Sequence, residues 1–144
     1  MGQLTPHFAL EEFIESQTAV RYNIDNSPSQ GVKNNLMTLA QGLEKVREVL
    51  SAALKISSGY RCTELNRKVG GAATSAHMDG FAADFTCPSF GTPEDIVQAI
   101  HKSGIQLDQC IQEGTWVHIS FDPRMRNQYL NAVFIKGTAH YTTR

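Results

Sequence analysis

Residues 29–54 read Ser-Gln-Gly-Val-Lys-Asn-Asn-Leu-Met-Thr-Leu-Ala-Gln-Gly-Leu-Glu-Lys-Val-Arg-Glu-Val-Leu-Ser-Ala-Ala-Leu. Val32, Leu36, Leu39, Leu43, Val46 and Leu50 recur there in alternating steps of four and three. On an α-helix that spacing aligns one apolar stripe, and polar residues fill the opposite face. The spacing therefore predicts a long helix over roughly residues 29–54, with one side to be buried. This helix is scaffold, and the rest of the chain must supply what it packs against.

Downstream the period changes. Lys55-Ile56-Ser57-Ser58 is expected to be a short strand, broken by Gly59. Thr63 to Val69 suits a short helix capped by Thr63 and closed by Gly70-Gly71. Ala82 to Cys87 is expected to be a strand, and Thr92-Pro93-Glu94-Asp95 opens a helix running to about His101, with Pro93 at its first position. Asp108 to Gln112, Trp116 to Phe121 and Ala132 to Lys136 supply further strands. Upstream, Phe8, Leu10, Phe13 and Ile14 form the apolar stripe of a lead-in helix after Thr5-Pro6, and Asn23 to Ser29 is a loop by composition. Helices followed by mainly hairpin-linked strands indicate an α+β fold, an antiparallel sheet with packed N-terminal helices.

The 144 residues suit a single domain spanning 1–144, long enough to bury a core. A net charge of −1 gives no basic field to attract nucleic acid or anionic lipid, and neither is expected as a partner. No stretch approaches the ~20 apolar residues that span a bilayer. The Met-Gly-Gln-Leu-Thr-Pro start has no secretory pattern, and Pro6 stands where a myristoylation signal wants Ser or Thr. Synthesis in the cytoplasm is the expectation. Three widely spaced cysteines, Cys62, Cys87 and Cys110, match neither a disulfide framework nor a zinc finger, and a packing role is expected for them.

Two stretches carry metal-binding chemistry. In Ser75-Ala76-His77-Met78-Asp79-Gly80-Phe81-Ala82-Ala83-Asp84, a loop bearing His77 and turned by Gly80 into a strand could fold His77 and Asp84 onto one point. In Trp116-Val117-His118-Ile119-Ser120, strand alternation sends Val117 and Ile119 to the core and leaves Trp116, His118 and Ser120 on a cleft face. Two histidines and one aspartate make three protein ligands, the count of catalytic rather than structural zinc sites. Most loops with a His and an Asp never bring them together, so the spacing alone is modest evidence. Arg61, in Ser58-Gly59-Tyr60-Arg61, is either a solvated charge or a group that steadies an oxyanion or carboxylate. His7, His101 and His140 read as surface or capping residues, Asp79 as a turn residue, and Asp122 as a turn residue or, being so near His118, a backup base or a partner of the ligands.

Taken together, Ser58-Gly59-Tyr60-Arg61, Leu65-Asn66, Val69-Gly70-Gly71, Ser75-x-His77, Gly80-x-Ala82-x-Asp84 and Trp116-Val117-His118 resemble the zinc D-Ala-D-Ala carboxypeptidase family. That family includes the L-alanyl-D-glutamate endopeptidases of phage lysins, and its fold is shared with the hedgehog signalling domain. The resemblance is densest over residues 57–85 and 108–121 and touches nearly the whole chain. It implies one zinc ion on His77, Asp84 and His118, charge stabilisation by Arg61, and Ser75 in the substrate cleft; Tyr60 and Trp116 read either as walls that orient the substrate or as core aromatics. It also implies an acidic catalytic base. Many members place that acid three residues before the last histidine, where this chain has Thr115, so Glu113 is the expected base. The implied activity is hydrolysis of a peptide bond in the peptidoglycan stem, as an endolysin-like endopeptidase or a D,D-carboxypeptidase. A monomer is expected; the small size and the start without a secretory pattern suit a lysin that reaches the cell wall after release by a holin, and equally a cytoplasmic recycling or dipeptide-cleaving enzyme. The alternative is a non-catalytic zinc-containing binding module, which Thr115 favours.

Overall fold

A computed structural model describes residues 2–144. A two-stranded hairpin, β1 (Gln3–Thr5) and β2 (Phe8–Ala9), leads into α1 (Leu10–Ile14) and α2 (Gln17–Arg21). The scaffold helix α3 (Gln30–Leu50) follows, then β3 (Lys55–Ser58), α4 (Thr63–Lys68) and a 3-10 turn over Ala76–Asp79. Next come β4 (Ala82–Thr86), α5 (Pro93–Ser103), β5 (Gln109–Gln112), β6 (Val117–Ser120), β7 (Gln128–Ile135) and β8 (Thr138–Thr143). Strands β3 to β8 form one six-stranded sheet in the order β3-β4-β6-β5-β7-β8.

The α+β class holds. The sheet is antiparallel except at β5 and β7, which run parallel. The chain leaves β6 on the inner side of β5 and crosses it before adding β7, so the two outer strands are joined to the sheet by a crossover rather than a hairpin.

The stripe of α3 is the core. Leu36, Leu39, Leu43, Val46 and Leu50 are buried with Ile96, Val97 and Ile100 of α5 and with Ala83, Phe85, Cys110, Val117, Ile119 and Tyr129 from the sheet. Full burial of one such aliphatic side chain stabilises by about 1.5–3 kcal/mol. The helix begins where Ser29 accepts the Val32 N–H, and it ends four residues earlier than its apolar pattern, because Ser51 turns into the left-handed region at φ 51°. Helix α5 starts as its sequence predicts, with Thr92 and Asp95 in a reciprocal cap, and stops at Gly104. Helix α4 is capped by the Cys62 sulfur rather than by Thr63. The lead-in helix begins only at Leu10, since Phe8 pairs in β2, and a second short helix precedes the Asn23–Ser29 loop. Strand β8 lies beyond every strand read from the sequence. None of the helices among the described residues is long and apolar enough to cross a membrane.

Gly59 is more than a strand breaker. A Cβ there would sit 2.6 Å from the Phe13 carbonyl oxygen and 2.7 Å from its Cα, so α1 can approach β3 only over a bare backbone. The Tyr60 N–H donates to that same Phe13 oxygen at 2.6 Å. Replacing Gly59 by Ala is expected to lower stability by about 1–3 kcal/mol, read as a shift of the urea midpoint at unchanged slope.

Beside β5, Asp108 is 0% exposed. Arg126 donates to it through Nε at 2.8 Å, Nη2 at 2.9 Å and its backbone N–H at 3.1 Å. Burial works against the charged carboxyl, but these bonds and the guanidinium charge outweigh it and hold Asp108 below its ordinary 3.8. The pair thus contributes stability above that ordinary value and loses it as pH falls through the depressed folded-state pKa. Arg126→Ala, which strands a buried charge, should cost about 3–5 kcal/mol at neutral pH. Asp108→Asn should flatten the acid limb of stability below about pH 4, as followed by denaturation at stepped pH.

Candidate metal centre

The register of the sheet builds most of the site. Asp84 on β4 lies directly opposite His118 on β6. Alternation sends Ala83, Phe85, Val117 and Ile119 into the core, so Asp84 and His118 share the other face. His118 Nδ1 stands 3.1 Å from Asp84 Oδ1. His77 arrives from the 3-10 turn, with Nε2 3.3 Å from the same oxygen. The two imidazole rings meet edge to face, with centroids 5.1 Å apart.

The turn is pinned at several points. Ser75 accepts the His77 N–H at 3.2 Å, Gly80 closes the turn at φ 82°, and the Arg61 N–H donates to the His77 carbonyl at 3.0 Å. His77 Nδ1 lies 2.7 Å from the Gly59 carbonyl oxygen, a partner that can only accept. Nδ1 therefore carries the proton and Nε2 presents its lone pair to the centre. Asn26 holds the neighbouring strand end, donating to the Ile14 and Tyr60 carbonyls and accepting the Cys62 N–H.

These donors fit a divalent ion. One ligand atom from each of His77, Asp84 and His118 lies within 4.8 Å of the others. Tetrahedral zinc with bonds of about 2.0–2.1 Å would hold its donors roughly 3.3 Å apart. Asp84 Oδ1 stands 3.1 Å from His118 Nδ1 and 3.3 Å from His77 Nε2, close to that spacing. His77 is only 2% exposed. Burial pushes its pKa down and keeps it neutral, the form a metal needs. Burial also opposes the charge on Asp84, yet its partnership with the neighbouring imidazoles, that of His118 above all, prevails and holds its carboxyl well below the usual carboxylate range. The same partnership outweighs burial at His118 and raises its pKa.

Glu113 sits in the β5–β6 turn with Oε1 3.9 Å from His118 Nδ1. Burial raises its pKa, with Asp84 adding to the effect, while the charges of His118 and Arg61 and the Trp116 indole act the other way. Thr115 is exposed on the same turn, so an acid at that position would face solvent. Arg61 Nη2 reaches the Ser75 hydroxyl at 3.4 Å, and its buried Nε has no hydrogen-bond partner among the described residues. Trp116 lines the cleft, its indole N–H buried without a hydrogen bond of good geometry. Tyr60 does not line this cleft. It packs against the core and faces an adjoining groove beside α1, to which Arg61 is the link.

The cleft measures about 530 Å³ and brings together His77, Asp84, His118, Glu113, Arg61, Ser75 and Trp116. Its far wall comes from residues the sequence did not single out, among them Arg124, Arg126, Leu130 and Tyr141. Alternation along β7 was the one available signal for Leu130; the others depend on long-range pairing. Asp122 is a turn residue, accepting from Arg124 at 2.9 and 3.0 Å. Cys62, Cys87 and Cys110 are free thiols, and burial pushes Cys110 up to about 12.

No curated protein matches the chain closely enough to count. The family model described as Peptidase M15 matches residues 6–120, which include all three of the converging side chains. The matched span covers most of the sequence and the whole of β3 to β6, and the chain belongs to peptidase family M15, the zinc D-Ala-D-Ala carboxypeptidase-like group.

Proposed function

We propose that the chain is a zinc peptidase that hydrolyses a peptide bond in the stem peptide of bacterial peptidoglycan, with His77, Asp84 and His118 as the metal ligands. The observation that carries this reading is the convergence of those three side chains on one cleft face beside a secluded carboxylate. Zinc bound there would supply a Lewis acid next to the scissile carbonyl and make a water acidic near neutral pH.

The chain's own groups complete the chemistry. Glu113 takes a proton from the attacking water as its oxygen bonds to the carbonyl carbon. As the C–N bond breaks, Glu113 returns that proton to the departing amine. Arg61, steadied by Ser75, donates to the carbonyl oxygen as negative charge grows on it; one such donor is worth about 2.7–4 kcal/mol. The indole of Trp116 walls the cleft beside Glu113. The Gly59 carbonyl keeps His77 in the ligating tautomer.

Glu113→Gln is expected to bind zinc with wild-type stoichiometry while cleavage falls by about 10²–10⁴. His77→Ala should lose the ion, as metal analysis would record. Undiminished cleavage by Glu113→Gln would remove that residue from the mechanism. Wild-type protein that loads zinc but releases no fragments from purified walls would instead favour a binding module of the same fold. Mass spectrometry of the fragments identifies the bond: a new D-glutamyl N-terminus marks an endolysin-like endopeptidase, and free D-alanine a D,D-carboxypeptidase.

A further inference from the structure

The ligand-bearing face of the sheet continues past the metal centre. Its register sets Asp84 against His118, His118 against Ile111, and Ile111 against Leu130. Neighbouring strands are about 4.8 Å apart, so Leu130 stands roughly 10 Å from His118, about three residues of extended peptide. Tyr141 on β8 pairs with Ala132, two residues beyond Leu130 on the same face. Leu130 and Tyr141 line the same cleft as the three ligands. Tyr141 is 53% exposed, and its hydroxyl makes no hydrogen bond among the described residues.

Arg124 and Arg126 line the same cleft on the other side of Leu130, toward the Gln109–Gln128 pair and away from Tyr141. Asp122 holds Arg124 through Nε at 3.0 Å and Nη2 at 3.4 Å, and Asp108 holds Arg126 through Nε at 2.8 Å and Nη2 at 2.9 Å. Each guanidinium is thus fixed in direction while its Nη1 edge has no partner among the described residues. Donors held this way lose little freedom on binding, and the planar fork matches a carboxylate. Both the 122–126 turn and the β7–β8 hairpin lie beyond the matched residues 6–120.

We propose that this turn and hairpin extend the substrate groove into a subsite for a carboxylate-bearing residue about three positions from the scissile bond. Leu130 packs on the carbon chain of that residue, and the Nη1 edges of Arg124 and Arg126 donate to its carboxylate. The location of the scissile bond rests on the peptidase reading; the carboxylate preference does not.

Trp116 is the single tryptophan and lines the cleft, so its fluorescence reports occupancy. Metal-free full-length protein is titrated with two synthetic pentapeptides that differ only in a glutamate or a glutamine at the third residue from the intended bond. The carboxylate peptide should bind about tenfold more tightly. That preference should fall to about one in Arg124→Gln, whose side chain is 55% exposed and can be changed without disturbing the core. It should also fall in Arg126→Gln combined with Asp108→Asn, which replaces the buried ion pair by an amide pair. Equal affinities in wild type, binding of neither peptide, or a preference that survives in both variants would overturn the proposal. Turnover of the same peptides by zinc-loaded protein is scored separately, so a peptide that binds selectively and is never cut defeats the peptidase reading alone.

Discussion

The cross-strand pair of Asp84 and His118 is the constraint on which the rest depends. Both sit on interior strands, with β3 outside one and β5 outside the other. Their neighbours Ala83, Phe85, Val117 and Ile119 are fully buried against α3 and α5. A slip of one residue in either strand would drive those side chains toward solvent and turn a ligand into the core. The hydrophobic core therefore sets the ligand geometry: what keeps Phe85 buried also keeps Asp84 facing His118.

His77 needs a different kind of support because it stands on an irregular segment. Its position comes from a chain of backbone bonds that ties the 3-10 turn to Gly59 and Arg61, and Tyr60 in turn to α1. Buried Asn26 closes the chain by filling three backbone valences between Ile14 and Cys62. Asn66 does the same for the loop that follows α4, donating to Ala72 while Gly71 packs against its amide. The N-terminal helices, remote from the chemistry in sequence, are thus part of what aims the first imidazole.

Much of this was legible in the residues. The α3 stripe is a local pattern, and local patterns survive folding. So was the alternation around His118, because both faces of β6 are committed, one to the core and one to the cleft. The meeting of His77 with Asp84 was legible only through motif resemblance, since no local rule states that a turn seven residues away will fold back. What escaped was long-range. Strand β8 reads Thr-Ala-His-Tyr-Thr-Thr and exposes most of its residues, so no apolar rhythm marks it. The parallel pairing of β5 with β7 leaves no local trace either. Asp108 and Arg126 look like ordinary surface charges until the fold buries one against the other. Tyr60 read equally as a cleft wall or a core aromatic, and it packs against the core, because alternation along an extended backbone sends adjacent side chains to opposite sides.

The acceptor that fixes the His77 tautomer is a main-chain oxygen. Where a carboxylate or amide side chain plays that part, a single codon change can delete it. Here no substitution can remove the carbonyl; it can only be displaced, by widening the contact between Gly59 and Phe13. Mutational sensitivity is thereby moved out of the polar site and into a seam of close backbone packing. Damaging variants of that seam would present as loss of fold rather than as a folded protein with a mistuned metal.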